Sequence, residues 1–173
     1  ATGITMNSFM NSRIKTITGM TGLYLPLDYN NVFFSKARSM ARYGLLVLNE
    51  GNWNGTDVLG DKTYFNEMVN SSQQLNESYG YLWWLNGKSS FMLPQLQIPF
   101  DGSINPSAPA DMIAALGKNG QFINVVPSLN MVYIRMGEAP GGGEVPVTFN
   151  DSIWQRVNVL ESTTSLKPES TIP

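Results

Sequence analysis

The spacing of apolar residues changes along this chain and predicts its first elements. Residues 1–34 show no clean period and contain several glycines and Pro26, which predicts mostly loop with one short strand. A helix with Ser35 as its N-cap follows, and Gly51 ends it because glycine adopts the left-handed conformation at little cost. Its inward positions recur at helical spacing: Ala37, Met40, Ala41, Gly44, Leu45 and Leu48.

The middle of the chain predicts a turn, a helix and an aromatic strand. Asn52-Trp53-Asn54-Gly55 is typical of a turn, and Asp61 caps a helix that runs to about Asn70, with Phe65, Met68 and Val69 facing inward. The segment Tyr79–Leu85 is rich in aromatic residues, which favours a half-buried strand. Alternation along that strand directs Trp83 and Trp84 to opposite faces, one into the core and the other toward a cleft or a helix. Residues 86–110 predict loop.

The last third of the chain predicts most of a sheet. Three apolar runs have strand length, Met112–Leu116, Phe122–Val126 and Met131–Met136, and a four-residue hairpin loop separates the last two. A final helix is expected over residues 150–160, with Ile153, Trp154, Val157 and Leu160 on its inner side. Residues 161–173 are polar and contain proline, which predicts a flexible tail or linker after one domain over residues 1–160.

Composition restricts the chemistry. Apolar residues make up 42% of the 173 residues and charged residues 14%, which is typical of a globular domain. The net charge is −2 and basic residues are scattered, so neither a nucleic acid nor an anionic membrane is an expected partner, and no segment predicts a membrane span. The chain has no Cys and no His, which excludes thiol nucleophiles, Ser-His-Asp triads and the usual zinc sites; no metal or cofactor is expected.

One corner carries the main candidate chemistry. Lys118-Asn119-Gly120 lies between two apolar runs, and Gly117 precedes it. From spacing alone, a hairpin or bulge is the simpler interpretation. A place at the rim of an active site is the alternative.

Three blocks in order, "SKARSMARYGLLVLNEGNWNG" (35–55), "YGYLWWLNG" (79–87) and "ALGKNGQFINVVPSLNMVYIRMG" (115–137), resemble the penicillin-recognising serine hydrolases. That family includes class C β-lactamases, D-alanyl-D-alanine carboxypeptidases, related esterases and 6-aminohexanoate-oligomer hydrolases. The resemblance covers residues 20–160 and implies the C-terminal part of a β-lactamase/transpeptidase-like α+β fold, an antiparallel sheet with flanking helices. It also suggests a periplasmic or secreted location.

The resemblance implies roles for four residues. Lys118, Asn119 and Gly120 match the place of the family's Lys-Thr-Gly triplet, on the sheet beside the nucleophilic serine. The backbone N–H of Gln121 would form half of an oxyanion hole. Lys118 would supply positive potential toward a substrate carboxylate or the general base. Asn119 in place of Thr departs from the pattern and leaves a carboxylate preference open. Phe33 and Phe34 resemble the segment that borders the cleft.

The other half of the family's machinery is not evident. A Ser-x-x-Lys string exists, Ser12-Arg13-Ile14-Lys15, but glycines and β-branched residues follow it where an apolar helix should begin. Tyr29-Asn30-Asn31 fits a Tyr-x-Asn motif in letters only. We therefore expect the catalytic serine, lysine and tyrosine on a segment upstream of Ala1.

The expected function is part of a serine hydrolase that acts on an ester, amide or β-lactam through an acyl-enzyme. The alternative is a non-catalytic binding module on the same scaffold. Expected partners are a small ester or amide substrate and either the missing N-terminal segment or a second copy of the chain. Without that partner, the Met131–Met136 strand or the 79–85 strand should expose an unpaired edge.

Overall fold

The chain is described by a computed structural model that covers residues 3–94, 96–141 and 145–164. Its helices are α1 (Met6–Met10), α2 (Thr16–Thr18), α3 (Ala37–Leu48), α4 (Lys62–Met68) and α5 (Val147–Thr164), and a π-helical stretch (Asn11–Lys15) joins α1 to α2. Its strands are β1 (Leu23–Leu27), β2 (Asn30–Phe34), β3 (Asn52–Trp53), β4 (Thr56–Asp57), β5 (Trp84–Leu85), β6 (Ser90–Met92), β7 (Pro99–Asp101), β8 (Ile113–Gly117), β9 (Gln121–Val126) and β10 (Met131–Arg135).

The main sheet has four antiparallel strands in the order β10-β9-β8-β5. The three strands predicted over residues 112–136 are confirmed, and so is the hairpin loop at Pro127–Leu129 with Asn130 in the left-handed region. Among the described strands, β10 and β5 lie at the two edges of this sheet. The α+β class with an antiparallel sheet and flanking helices is confirmed.

Alternation along the strands divides the core between the two faces of the sheet. Phe122 and Val126 of β9 pack with Trp154 of α5, whereas Val125 packs with residues of α3 and α4. Trp84 belongs to the first of these clusters and Trp83 to the second. The two tryptophans therefore point to opposite faces, as predicted, and both are buried.

Helix α3 lies very close to the sheet because Gly44 has no side chain. A Cβ at Gly44 would lie 2.4 Å from Cγ1 of Val132 on β10. This contact turns Leu46 and Val47 into the core and leaves Leu45 exposed, so the predicted inward position of Leu45 is wrong. The predicted cap is also wrong: α3 has Lys36 at its N-cap with no side-chain capping bond. Ser35 instead donates its hydroxyl to the carbonyl of Thr21, at 2.5 Å.

A chain of buried asparagines joins α5 to the sheet. Asn150 and Asn124 exchange two hydrogen bonds between their side-chain amides, of 2.9 and 3.1 Å. Asn150 also donates to Oδ1 of Asn105 (2.9 Å), and the N–H of Asn105 donates to the side chain of Asn86 (3.0 Å). All four residues are buried. Because these amides are satisfied by one another, they can lie in the core and fix how α5 sits on β9.

The N-terminal region differs most from expectation. Instead of loop, residues 6–18 are helical and residues 23–34 form the β1–β2 hairpin. Thr5 caps the first helix by accepting a hydrogen bond from the N–H of Ser8, and Gly19 ends the last one in the left-handed region. Few of these side chains are buried, so the core imposes no apolar period on the sequence.

Three further predictions need correction. The aromatic strand is shorter than Tyr79–Leu85, because residues 80–83 turn and bring Tyr79 opposite Trp84. The predicted loop over residues 86–110 contains the β6–β7 hairpin. Helix α5 begins at Val147, after Pro146, and Leu160 is exposed rather than inward. By contrast, α4 with Asp61 as its cap and the turn at Asn54-Gly55 are confirmed.

The tail expected over residues 161–173 lies mostly outside the residues that the structure describes. Residues 161–164 belong to the last turn of α5, and residues 165–173 lie beyond the described residues. The predicted boundary at residue 160 stays a prediction. Within the described part of the chain, none of the helices is both long and apolar enough to cross a membrane.

Candidate active site

The Lys118–Gly120 triplet is the tight turn that joins β8 to β9. Gly117 lies opposite Gln121 in the strand register, and the three residues between them form a single 3-10 turn. Asn119 and Gly120 have φ angles of 60° and 84°. Asn and Gly are the residues that adopt this left-handed conformation most readily, which explains this sequence at this turn.

The end of β10 holds this turn in place. The carbonyl of Asn119 accepts a hydrogen bond from the N–H of Ala139 (2.8 Å), and the carbonyl of Gly120 accepts one from Nη1 of Arg135 (2.9 Å). The side chain of Gln121 donates to the carbonyl of Gly137 (2.7 Å) and accepts from its N–H (3.1 Å). The position of the turn is therefore determined by the protein itself, without a ligand.

A cleft of about 350 Å³ lies beside this turn. Strand β5 pairs only with Ile113 and Ala114 of β8. Among the described residues, residues 115–117 therefore pair with β9 on one side and with no strand on the other. All three of those residues border the cleft. The cleft is lined by Phe33, Met40, Tyr79, Leu82, Trp84, Ala115, Leu116, Gly117, Gln121, Phe122, Ile123, Arg135 and Met136.

Only three of the lining side chains are polar, and each is constrained. Burial raises the pKa of the Tyr79 phenol above its usual value of 10.0, so the phenol is neutral near pH 7. Gln121 is bonded at both ends of its amide to Gly137. The guanidinium of Arg135 donates to the carbonyls of Gly120, Gly137 and Glu138 and lies 5.0 Å from the ring centroid of Phe149. The described lining therefore supplies no nucleophile with an adjacent base.

The four residues assigned by the resemblance are near one another but differ in environment. Gln121 lines the cleft, and Gly120 is buried where a Cβ would lie 2.7 Å from a nitrogen of Arg135. Lys118 and Asn119 are exposed on the turn and lie outside the lining. The side-chain ammonium of Lys118 makes no hydrogen bond or ion pair with any described residue. Of the two phenylalanines expected to border the cleft, Phe33 lines it, whereas Phe34 is exposed and lies outside the lining.

Ser12 and Lys15 do not form a catalytic pair in this structure. They lie on the π-helical stretch, where the hydroxyl of Ser12 donates to the carbonyl of Phe9 (3.2 Å). The ammonium of Lys15 donates instead to the carbonyl of Gly22 (2.7 Å). This agrees with the sequence context, which argued against Ser12 as the nucleophile.

Sequence reasoning missed two contributors to the site. Arg135 was part of an apolar run and carried no motif, yet its guanidinium holds the turn. Leu82 was placed inside a strand, but it has a φ of 64° and lies on the turn before β5, at the cleft. The glycine at position 80 was the available signal for that turn.

A second, larger cavity of about 570 Å³ lies between the β6–β7 hairpin and the start of α5. Its walls include Phe91, Phe100 and Asp151. The carboxylate of Asp151 accepts hydrogen bonds from the N–H and hydroxyl of Ser107, at 2.8 and 3.0 Å, which gives it a structural role. Volume alone does not identify a site, and we assign the candidate site to the smaller cleft because it adjoins the turn. No group of three Asp or Glu side chains within the described ranges could hold a metal ion.

Comparison with known proteins supports the fold. No family model matches the chain, and no curated protein matches it in sequence. In structure it is similar to the solved "Putative 6-aminohexanoate-dimer hydrolase from Bacillus anthracis", with a TM-score of 0.64 and 19% identity. The match covers 96% of this chain and 41% of that protein. The likeness shows the fold: this chain has the α+β fold of the C-terminal part of a β-lactamase-like hydrolase.

Proposed function

We propose that this chain is part of a serine hydrolase that acts through an acyl-enzyme, with its nucleophile on a segment outside these residues. The observation that carries the proposal is the cleft at the open end of β8, beside the rigid Gly117–Gln121 turn. A β-lactamase-like fold that spans 41% of the length of its neighbour is consistent with a missing part. The absence of a nucleophile–base pair from the described lining also favours one supplied from elsewhere.

In this proposal, a serine hydroxyl from the missing segment attacks the carbonyl carbon of an ester, amide or β-lactam while a neighbouring base takes its proton. The carbonyl oxygen becomes an oxyanion, and the N–H of Gln121 donates a hydrogen bond to it. Collapse of this intermediate expels the alcohol or amine, which takes up the proton, and leaves an acyl ester on the serine. Water then hydrolyses that ester. Lys118, exposed on the turn, would supply positive potential toward the general base, or toward a substrate carboxylate where one is present.

Replacing Gln121 tests the backbone donor. Gln121 has φ −80°, which proline can adopt, and it is the first residue of β9, so Gln121→Pro removes the N–H without changing the φ of residue 121. Any strain falls on the preceding Gly120, which has φ 84°. In a protein that includes the upstream segment, we expect this variant to lower kcat by about 10²–10³. The matched control is Gln121→Ala, which keeps the N–H and should lower kcat much less. Thermal unfolding of both variants verifies that they fold.

The chain by itself should hydrolyse none of three probes: a chromogenic β-lactam, a p-nitrophenyl ester and a short D-amino-acid amide. Turnover by these 173 residues alone, abolished by Ser12→Ala, would contradict the missing nucleophile. If a protein that includes the upstream segment also hydrolyses none of them, the non-catalytic binding module becomes the better interpretation.

We also propose a partner for the exposed apolar surface of the N-terminal region, either the missing segment or a second copy of the chain. Leu23, Leu25 and Leu27 of β1 alternate on one face of the hairpin, and Val32 and Phe34 lie opposite two of them on β2. All five side chains are exposed. Such a face is rare on a stable monomer, and another surface that covers it would stabilise both.

A further inference from the structure

Leu82 combines a backbone conformation that leucine rarely adopts with a side chain that is largely exposed. Its φ of 64° lies in the left-handed region, which is unfavourable for leucine and normal for glycine. Its side chain is 80% exposed, so burial does not compensate for this strain. Strained residues of this kind are concentrated at ligand-binding and catalytic sites.

The turn that carries Leu82 is firmly held. The N–H of Gly80 donates to the carbonyl of Trp83 (2.8 Å), and the N–H of Tyr81 donates to the carbonyl of Met68 (3.1 Å). The rings of Tyr79 and Trp84 pack edge to face with centroids 4.7 Å apart. Gly80 approaches α4 so closely that a Cβ there would lie 2.1 Å from the carbonyl oxygen of Met68. The turn therefore presents Leu82 at the cleft in a fixed position.

The wall of the cleft is mostly apolar, and the one cation in its described lining, Arg135, already donates hydrogen bonds to the backbone. Trp84, Leu116, Phe122 and Met136 line it together with Leu82. Arg135 is the only charged residue among the described lining, and its guanidinium is directed at backbone carbonyls of the turn and of residues 137–138. Lys118 is outside the lining. A carboxylate in this cleft would lose hydration, and the guanidinium that could compensate for this loss already donates to backbone carbonyls. An alkyl or aryl group would be buried favourably.

We propose that Leu82 is a specificity-determining residue and that the cleft binds a neutral, apolar chain of the substrate in preference to an anionic one. That the bound molecule is a substrate rests on the proposed function. The proposal narrows the open choice among esters, amides and β-lactams. A linear or aromatic ester or amide whose bound chain carries no carboxylate fits the cleft best. Leu82 contacts the apolar chain where it enters.

The test is a binding titration followed by methyl NMR, with two probes of nearly equal length. N-butylhexanamide is neutral, and the monobutylamide of hexanedioic acid carries a carboxylate at its end. We expect the neutral probe to shift the methyl signals of Leu82, Leu116 and Met136 and to bind at least tenfold more tightly than the anionic one. Equal affinities, shifts elsewhere or no binding at all would overturn the proposal.

Leu82→Gly separates recognition from folding. Because glycine relieves the left-handed strain, the variant should unfold at the same or a higher temperature, while its affinity for the neutral probe falls about tenfold. The matched control is Leu75→Gly, a leucine that is 77% exposed and lies outside this cleft, which should leave the affinity unchanged. An unchanged affinity in Leu82→Gly, or an equal loss in both variants, contradicts the role of Leu82.

The binding readout needs no hydrolysis, so the two proposals fail separately. If a protein with the upstream segment hydrolyses nothing but the neutral probe binds as described, the serine hydrolase is wrong and the apolar specificity of the cleft stands. If esters are hydrolysed with no preference for neutral chains, the specificity of the cleft is wrong and the hydrolase stands.

Discussion

The N-terminal region and the main sheet use similar apolar residues with opposite results. In the hairpin of β1 and β2, Leu25 is 43% exposed, and its neighbours Leu23 and Leu27 are exposed too. In the short strand β5 of the main sheet, Leu85 is 2% exposed, because α3 and α4 cover that face. A two-stranded hairpin with one open face is marginal by itself, whereas a sheet covered by helices on both faces forms a stable core.

Polar contacts fasten the N-terminal region to α3. Nη1 of Arg42 donates to the carbonyl of Gly19 (2.7 Å), and the hydroxyl of Ser39 accepts from the N–H of Thr21 (3.0 Å). Ser39 and Met20 are buried at this junction. The region is thus positioned by a few hydrogen bonds and keeps its leucines free. The difference teaches that sequence hydrophobicity alone does not show which surfaces are already covered.

The largest loss in the free energy of unfolding is expected when the asparagines that fix α5 to the sheet are replaced. Asn150→Ala removes three hydrogen bonds, which leaves the buried amide of Asn124 without a partner and Oδ1 of Asn105 without a donor. Each unsatisfied buried group destabilises the fold by about 1–3 kcal/mol, so the free energy of unfolding should fall by about 3–5 kcal/mol in urea denaturation.

Asn158 provides the control on the same helix. Its side chain is exposed and donates one hydrogen bond, to the carbonyl of Ser107 (2.8 Å). Asn158→Ala should change the free energy of unfolding by at most about 1 kcal/mol. Equal losses in the two variants would show that the buried asparagines do not hold the helix.

A pair of leucine substitutions directly compares how much a leucine contributes to stability in the main sheet and in the β1–β2 hairpin. Leu85→Ala creates a cavity in the core and should lower the free energy of unfolding by about 2–5 kcal/mol. Leu25→Ala removes an exposed side chain and should change it by about 0.5 kcal/mol or less.

The apparent mass from size-exclusion chromatography with light scattering completes this comparison. If Leu25→Ala lowers the free energy of unfolding nearly as much as Leu85→Ala and also lowers the apparent mass, a second copy of the chain covers the hairpin. A cooperative monomer near 19.1 kDa that binds no upstream fragment would instead contradict the proposed partner.

The smallest effect on the free energy of unfolding is expected at alkaline pH and comes from Tyr43. Burial, and to a lesser extent the charges of Tyr24 and Tyr64, raise the pKa of the Tyr43 phenol above 10.0. Below pH 10 the phenol is protonated in both states and contributes nothing to pH dependence. Above pH 10 the unfolded state loses its proton first, so the free energy of unfolding falls as pH rises.

Tyr43→Phe keeps the ring that stacks on Trp83 and removes the ionisable group. We expect wild-type stability at pH 8 and a smaller loss than wild type between pH 8 and pH 11, measured by urea denaturation. Tyr29→Phe, at a fully exposed position of the hairpin, should show the wild-type loss. A full wild-type loss in Tyr43→Phe would mean that other groups cause the alkaline effect.

Much of the main sheet could be predicted because its strands are apolar runs of strand length, which helices cover on both faces. Helix α4 could be predicted because its buried residues recur on one face, and alternation correctly separated Trp83 from Trp84. The N-terminal helices and hairpin could not be predicted, since their burial is too slight to impose a period. Helix α3 was found, but its orientation depended on the contact between Gly44 and Val132, which joins residues distant in sequence.

The sequence by itself determined three strands of the main sheet and the turn at Lys118–Gly120, because these follow from local periodicity and from the left-handed preference of Asn and Gly. The fold class followed from the resemblance of three ordered blocks to a known family. Only the tertiary structure decided which residues share a cleft. Arg135 of β10 and Gln121 of the neighbouring strand β9 hold the turn. Leu82 reaches the same cleft from the turn before β5. Such a site depends on contacts between distant segments, and no local pattern encodes them.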